Sequence, residues 1–595
     1  MTSKNLFFKL MREDWKNRLW APALIALASF FAYPVFLAFM AGKADRDWNT
    51  AAEAFHWFSE QSIRWISFEN GVAVFFVVVV SLVCGLSSFY YLTSRKRVDF
   101  YHSIPVRREF LVHYADGILM PAIPYALALV ASVIVCAANG VSTDALCATA
   151  VSAYILHMIY YILCYTTVVI ASLMTGHLVI GFFGSMVLMF YMPIAASLFE
   201  SFFESFFLSY YYPGDDSVFE NLIRISPVME YVHTVSLYAD QKPVAMVAAA
   251  ALIVSLLLIA AAVFLYKKRP SEAAGKAMAF AVSQPVIRVL ITVVAGLGIG
   301  DFFWSLQRSN GWMVFGVVCG SVISHCVIES IYHFDFRKLF SHKEQLAFST
   351  IAALAILFSF RFDVFGYDTY LPSADKVAYA SVDIGRLNDW VSYGKVVEDQ
   401  EIHGQRVLYS YEFTPSEIHM AQHMQSTDVN TILNFAAAGI EENRLCKNEW
   451  DQRGTGENAV AYEIAEVTAA PAETADESEN VCYTTATVTY TLKSGRKVIR
   501  NYSINMTKNY ELIKKLSQDE EYQKAAYPLL AADDVHGGEG TGVAHMEALT
   551  GGIGELDEAV ELLPGLVAGH SGKGLFLQPL LLPFLFNGCK IVLHG

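Results

Sequence analysis

The sequence predicts a polytopic α-helical membrane protein of about nine transmembrane helices, with its N-terminus inside and a C-terminal extracytoplasmic α+β domain. Three observations carry this. The 595 residues are 54% hydrophobic and only 17% charged, against about 25% charged in an ordinary soluble domain. The mean hydropathy is +0.38. The apolar residues also gather into runs of about 20, enough to cross a hydrocarbon core of roughly 30 Å at 1.5 Å per residue.

From the N-terminus, residues 1–19 read as an interfacial amphipathic helix. Phe7, Met11, Trp15 and Leu19 recur every fourth residue, with Lys4, Lys9, Glu13 and Lys16 on other faces. The first span follows over 20–41, too long for a signal-peptide core, so it reads as an uncleaved anchor. Further runs lie near 70–91, 113–138, 146–173, 178–199, 243–266, 286–304, 311–331 and 345–361. Basic residues set the orientation, because short cytoplasmic loops retain Lys and Arg. Basic clusters occur before the first span, in loop 92–112, at Lys267, Lys268, Arg269 and Lys276, and at Arg337, Lys338 and Lys343. An even number of spans separates each cluster from the next. Residues 20–266 thus form a six-span core, and 267–361 a basic loop with three more spans.

The outer loop 197–238 is aromatic and broken by Pro213, Gly214 and Pro227. It is too interrupted to cross and too apolar for free solution, so re-entrant or interfacial helices are expected, with simple aromatic anchoring as the alternative. Residues 362–530 change to acidic, mixed texture. Val377–Ile384 and Arg406–Phe413 read as strands, Val429–Leu445 and Asn509–Lys524 as helices, and Thr484–Leu492 with Lys497–Ile504 as a hairpin around Ser494-Gly495. Cys446 and Cys482 are candidates for a disulfide outside the membrane, two unpaired thiols being the alternative. The Gly-rich, then apolar tail 531–595 has the texture of disorder or of a segment foreign to the domain, and its run Leu575–Phe586 is too short and too Pro-rich for a tenth span.

The chemistry is mostly exclusion. A net charge of −15 argues against nucleic acid as a partner. The nine cysteines form no CxxC pair, so no metal set is expected from spacing. There is no G-x-x-x-x-G-K-[ST], H-E-x-x-H or G-x-S-x-G, and Gly569-His-Ser-Gly-Lys573-Gly574 has Val567 and Gly574 at two required positions. No catalytic residues are therefore assigned, and no cofactor is expected in this chain. Gly296, Gly298 and Gly300 lie within an apolar run, where close helix packing is the expected use. His325 and Glu329, four residues apart on the eighth span, form a candidate intramembrane polar pair.

Loop 92–112 is the segment least explained by topology. Its arginines satisfy the positive-inside rule, but Asp99, Phe100, Tyr101 and His102 add nothing to orientation. The string RKRVDFYHSIP, Arg95–Pro105, resembles the first cytoplasmic loop of permease subunits of type-2 ATP-binding-cassette exporters. The resemblance is to a Gram-positive subgroup with a C-terminal extracytoplasmic domain. RPSEAAGKAMAF (Arg269–Phe280), FDVFGYDTYLPSADKV (Phe362–Val377) and YTLKSGRKVIRNYSI (Tyr490–Ile504) resemble the same group. The likeness runs to about residue 530; the tail departs from it.

The resemblance implies a membrane permease, an exporter subunit of the bacterial cytoplasmic membrane, paired with a second permease copy. A separate ATPase subunit would carry the ATP and magnesium. Its docking surface would comprise Arg95, Arg97, Asp99, Phe100, Tyr101 and His102, with Pro105 ending the helical part. Lys267, Lys268, Arg269 and Lys276 would form a second dock. A membrane receptor, whose outer domain binds a ligand while its inner loops signal, is the other reading.

Overall fold

The computed structural model describes residues 11–16, 18–48, 50–98, 109–214, 217–387, 391, 393–397, 401–402, 405–406, 410–453 and 483–527. Among these, nine helices are long and apolar enough to cross a membrane. They are Trp20–Ala44, Ala51–Ser88, Phe110–Ala138, Thr143–Met174, Leu178–Phe206, Ala245–Lys268, Ser283–Gln307, Asn310–His333 and Lys343–Arg361, here the first to ninth spans. The protein is therefore a multi-pass membrane protein. Two compact units are distinguished: one formed by Met1–Phe202 and Pro213–Phe358, the other by Phe203–Tyr212 and Ser359–Gly595.

Within the first unit the helices have local causes for their breaks. The second span is two helices, Ala51–Ile66 and Gly71–Ser88, and the Asn70 side chain caps the second by accepting from Val72 N and Ala73 N. The first span contains a π-helical turn over Phe31–Val35, around Pro34, where the missing N–H interrupts the regular ladder. The seventh and eighth spans pack closely. A Cβ on Gly300 would come 2.5 Å from the Val317 side chain, and one on Gly316 would come 2.7 Å from the Ile299 carbonyl. Small residues on both faces let the backbones approach, which is the use expected of the glycine run.

The outer loop enters the bundle. Short helices Val218–Ile223 and Pro227–Ala239 follow the fifth span. Ser226 caps the second helix and donates to the Met189 carbonyl of the fifth span, and Pro227 occupies its first position. Val228 packs with Cys164, Val168 and Met189. Cys164 lies about 15 Å from the basic-loop end of a helix roughly 48 Å long, so the tip of this re-entrant segment passes the helix midpoint. Higher up, Tyr231 bonds His157, Tyr160 bonds Thr234, and Phe68 packs against both tyrosines.

The second unit is built on a three-stranded antiparallel sheet of order β1-β6-β7, with β1 Val377–Ile384, β6 Tyr483–Leu492 and β7 Lys497–Asn505. The β6–β7 hairpin turns at Gly495, whose φ is +83°, a conformation that needs glycine. Two short antiparallel pairs complete the strands: β2 Tyr393–Val397 with β5 Ser410–Thr414, and β3 Glu401–Ile402 with β4 Gln405–Arg406. One face of the main sheet buries Ala380, Val382, Ile384, Val488, Tyr490 and Tyr502 under helix Val429–Arg453 and its neighbours. The helix expected over 509–524 is two, Tyr510–Ser517 and Glu520–Ala526. Asp519 causes the break, because its carboxylate caps the second by accepting from Glu521 N. Residues Phe203–Tyr212 also pack inside this unit: Phe207 stacks on Tyr367, and Lys447 donates to the Phe206 carbonyl.

Candidate functional site

The basic-loop end of the first unit gathers most of the residues singled out in the sequence. After the second span a 3-10 turn covers Tyr90–Thr93, and Arg95–Val98 are helical. Arg95 and Arg97 are exposed. Arg95 Nε donates to the Ala274 carbonyl at 3.4 Å, and the Arg97 guanidinium lies 4.8 Å over the Tyr90 ring. Asp99, Phe100, Tyr101, His102 and Pro105 lie outside the described residues, as do residues 1–10 of the interfacial segment, Cys482 of the candidate disulfide and the tail 531–595.

Loop 269–280 is bound tightly to the end of the fourth span. Arg269 donates to the carbonyls of Ser172, Leu173 and Leu92. A helix ends with carbonyls that lack intrahelical donors, and a half-buried guanidinium supplies several donors at once. Burial pulls the Arg269 guanidinium down to about 10, so it stays charged at neutral pH. The backbone adds Gly275 N to the Gly176 carbonyl at 2.9 Å and Ala279 N to the Met174 carbonyl at 2.7 Å. Gly176 is obligatory in this contact, since a Cβ there would lie 1.9 Å from the Ala273 carbonyl oxygen. Arg269 is thus a clamp that joins the two basic loops, while Lys267, Lys268 and Lys276 remain exposed.

The segment before the first span is held at the same end. Arg18, buried, donates to Ser88 Oγ at 2.9 Å, pairs with Asp14, and lies 3.7 Å from Asp116. Trp15 Nε1 donates to Asp116 at 3.0 Å, and His113 Nδ1 meets Asp14 at 3.1 Å. Burial by itself would raise the Asp14 carboxyl, but the His113 hydrogen bond and the charges of His113 and Arg18 outweigh it and hold it well below the usual carboxylate range. Sequence reasoning missed this network. Its signal was Asp116, an ionisable residue inside an apolar run.

A second polar cluster joins the last three spans. Glu329 is fully buried, with Arg288 Nε 2.6 Å from its Oε1. Arg288 also donates to Gln345 and lies 5.3 Å over the Tyr332 ring. His333 Nε2 lies 3.2 Å from Glu329 Oε2, and His342 Nδ1 lies 3.3 Å from Oε1. His325 turns elsewhere, with Nε2 2.9 Å from the Ser341 carbonyl. So the two members of the expected pair are each buried and each engaged by other groups. Arg288 was the missed partner, and an arginine inside a predicted span was the signal available.

Between the first, second, third and fourth spans lies a small apolar cavity of about 50 Å³, lined by Ile25, Tyr33, Val77, Pro121, Tyr125 and His157 among others. It has the character of a packing gap rather than a site with convergent polar groups.

Comparison with known proteins yields one family match. Residues 490–539 match a family described as "Domain of unknown function (DUF6449)". The described part of the match covers the β6–β7 turn, β7 and the two helices after it. No curated protein matches, and no solved structure matches.

Proposed function

We infer that this chain is the membrane permease of an ATP-binding-cassette exporter, energised by a separate ATPase that docks on the first cytoplasmic loop. The observation that carries the reading is the seat of that loop. Arg269 and the Arg95–Ala274 contact fasten its start to the third basic loop and to the end of the fourth span. A segment that receives force from a partner needs such a rigid base, because a freely swinging loop dissipates the displacement. The re-entrant segment around Ser226–Val228 and the helical segment 11–16 before the first span support the same reading, as features that the resemblance implies. A second permease copy completes the pathway, and the ATPase carries the ATP and magnesium.

In this arrangement Arg95, Arg97, Asp99 and His102 orient the partner, and Phe100 and Tyr101 supply the buried anchor area. Lys267, Lys268 and Lys276, all exposed, form the flank, while Arg269 acts through the loop rather than on the partner. The test is co-purification of a P-loop ATPase with the full-length chain. Phe100→Ala with Tyr101→Ala is expected to weaken the association by at least about 30-fold, a loss of roughly 2 kcal/mol, with membrane insertion unchanged. Unchanged association, or no ATPase partner, overturns the reading.

A further inference from the structure

We propose that Glu329, His333 and His342 form a binding site for a divalent first-row transition metal of the zinc class. The site lies at the basic-loop end of the eighth span and is independent of the exporter reading.

The ligand chemistry comes first. Two imidazoles and one carboxylate are a donor set suited to zinc and its neighbours, and unsuited to magnesium or calcium, which take oxygen ligands. One ligand atom from each residue lies within 4.8 Å of the other two. At Zn–N and Zn–O lengths of about 2.0–2.1 Å, neighbouring ligand atoms of a tetrahedron are roughly 3.3 Å apart. The His333 Nε2–Glu329 Oε2 separation of 3.2 Å matches that edge, and His342 Nδ1 lies 3.3 Å from the other oxygen of the same carboxylate, Oε1.

The second observation is the state of the carboxylate. Glu329 is fully buried, yet neither oxygen has a hydrogen bond of good geometry among the described residues. A buried carboxylate without such bonds is costly. Arg288 offsets part of that cost as a charge at Oε1, and its other contacts, Gln345 and the Tyr332 ring, fix it there. It acts as an outer-shell group that orients the ligand. Oε2 is left facing His333.

The backbone explains why linear motifs did not reveal the set. Glu329 and His333 share one helix face at i and i+4, a common two-ligand spacing. The helix then ends at Phe334 with a positive φ of 51°, and the loop returns His342, itself at φ 54°, to the same place. His333 and His342 are 31% and 46% exposed, so a fourth position faces solvent and a metal has a way in. Arg337, Lys338 and Lys343 in the same stretch lower the affinity for any cation, so the site is expected to be exchangeable. Metal binding would fasten loop 334–342 to the span end.

The experiment uses the full-length chain in detergent, stripped with chelator. Zinc is titrated by calorimetry, and cobalt(II) by visible absorption, which reports tetrahedral geometry. One metal per chain is expected, with tetrahedral cobalt bands. His342→Ala should weaken binding by at least about 100-fold, beyond the 10–100-fold that losing an outer-shell partner costs. His333→Ala with His342→Ala should abolish it. Glu329→Gln strips Arg288 of its counter-charge and is prone to misfold, so the histidine variants carry the test. Zinc uptake that survives the double variant would place the metal elsewhere, for example at the stacked His419–His423 pair, and would overturn the proposal. No uptake by the wild-type chain would overturn it equally.

Discussion

The first unit holds two buried ionic clusters, and they are built differently. Around Arg18 the charges are closed. Two carboxylates, Asp14 and Asp116, face one guanidinium, one imidazole and an indole N–H, and the guanidinium also donates to the Ser88 hydroxyl. Around Glu329 the cluster is open. One carboxylate faces one guanidinium without a well-formed hydrogen bond, and two half-exposed imidazoles converge on it from the solvent side. Pairing inside a low-dielectric region is more stable the more completely its lone pairs are used. The first cluster comes near that condition with the chain alone: both carboxylates accept hydrogen bonds, and only Asp116 Oδ2 is left with the Arg18 charge at 3.7 Å. In the second, neither Glu329 oxygen has such a bond, and the proposed metal would supply what is missing.

The largest effect should come from breaking the closed cluster. Arg18→Ala leaves Asp14 and Asp116 buried without their shared cation and should cost about 3–5 kcal/mol, read from the unfolding midpoint in detergent. By contrast, His342→Ala without metal should cost under about 1 kcal/mol, because it removes an exposed partner. If the two variants are equally damaging, the distinction between closed and open clusters fails.

Gly176→Ala comes next. Its Cβ would strike the Ala273 carbonyl, so loop 269–280 must lift from the fourth span, at about 1–3 kcal/mol. Hydrogen exchange should show Gly275 and Ala279 losing protection while the Arg18 cluster is unchanged. Coupled loss at both places would make them one cooperative unit.

A neutral buried pair sharpens the scale. Tyr231→Phe removes the hydroxyl that meets His157, and an interhelical hydrogen bond within a membrane averages about 0.6 kcal/mol. A loss comparable to that of Arg18→Ala would mean that the re-entrant segment depends on this single contact.

The smallest effect concerns pH in the second unit. Burial, aided by the neighbouring His423, lowers the His419 imidazole below its ordinary 6.5. A group with a depressed folded value contributes its stability above the unfolded value and loses it as pH falls through the folded one. The second unit should therefore melt slightly earlier as the pH drops below about 6.5. His423→Ala should narrow that loss. A midpoint independent of pH between neutral and acidic conditions would remove His419 from the account.

Some of this was legible without coordinates. The nine spans and the β6–β7 hairpin follow from periodicity and turn chemistry, which are local. The α+β character of residues 362–530 was legible for the same reason, although the break at Asp519 hid inside a continuous helical pattern, because one cap outweighed the periodicity. The candidate sites were legible only in part. Glu329 was visible as an ionisable residue in an apolar run, but its partners Arg288 and His342 come from other elements. Arg269 read as one more loop charge, and only its carbonyl partners mark it as a clamp.

The sequence by itself determined the class of this protein. Burying about 20 apolar residues at a time in lipid, while keeping Lys and Arg at the ends, leaves few alternatives to a multi-span helical bundle. Tertiary structure alone decided which charges meet. It brought Asp14 and Arg18 to Asp116, His342 back to Glu329, and Phe203–Tyr212 into a unit otherwise made of residues from Ser359 onward. The reason is one of range. Hydrophobic periodicity acts over a few residues, whereas the pairing of buried polar groups is fixed by which helices are neighbours, a property of the packed bundle that no short stretch of sequence carries.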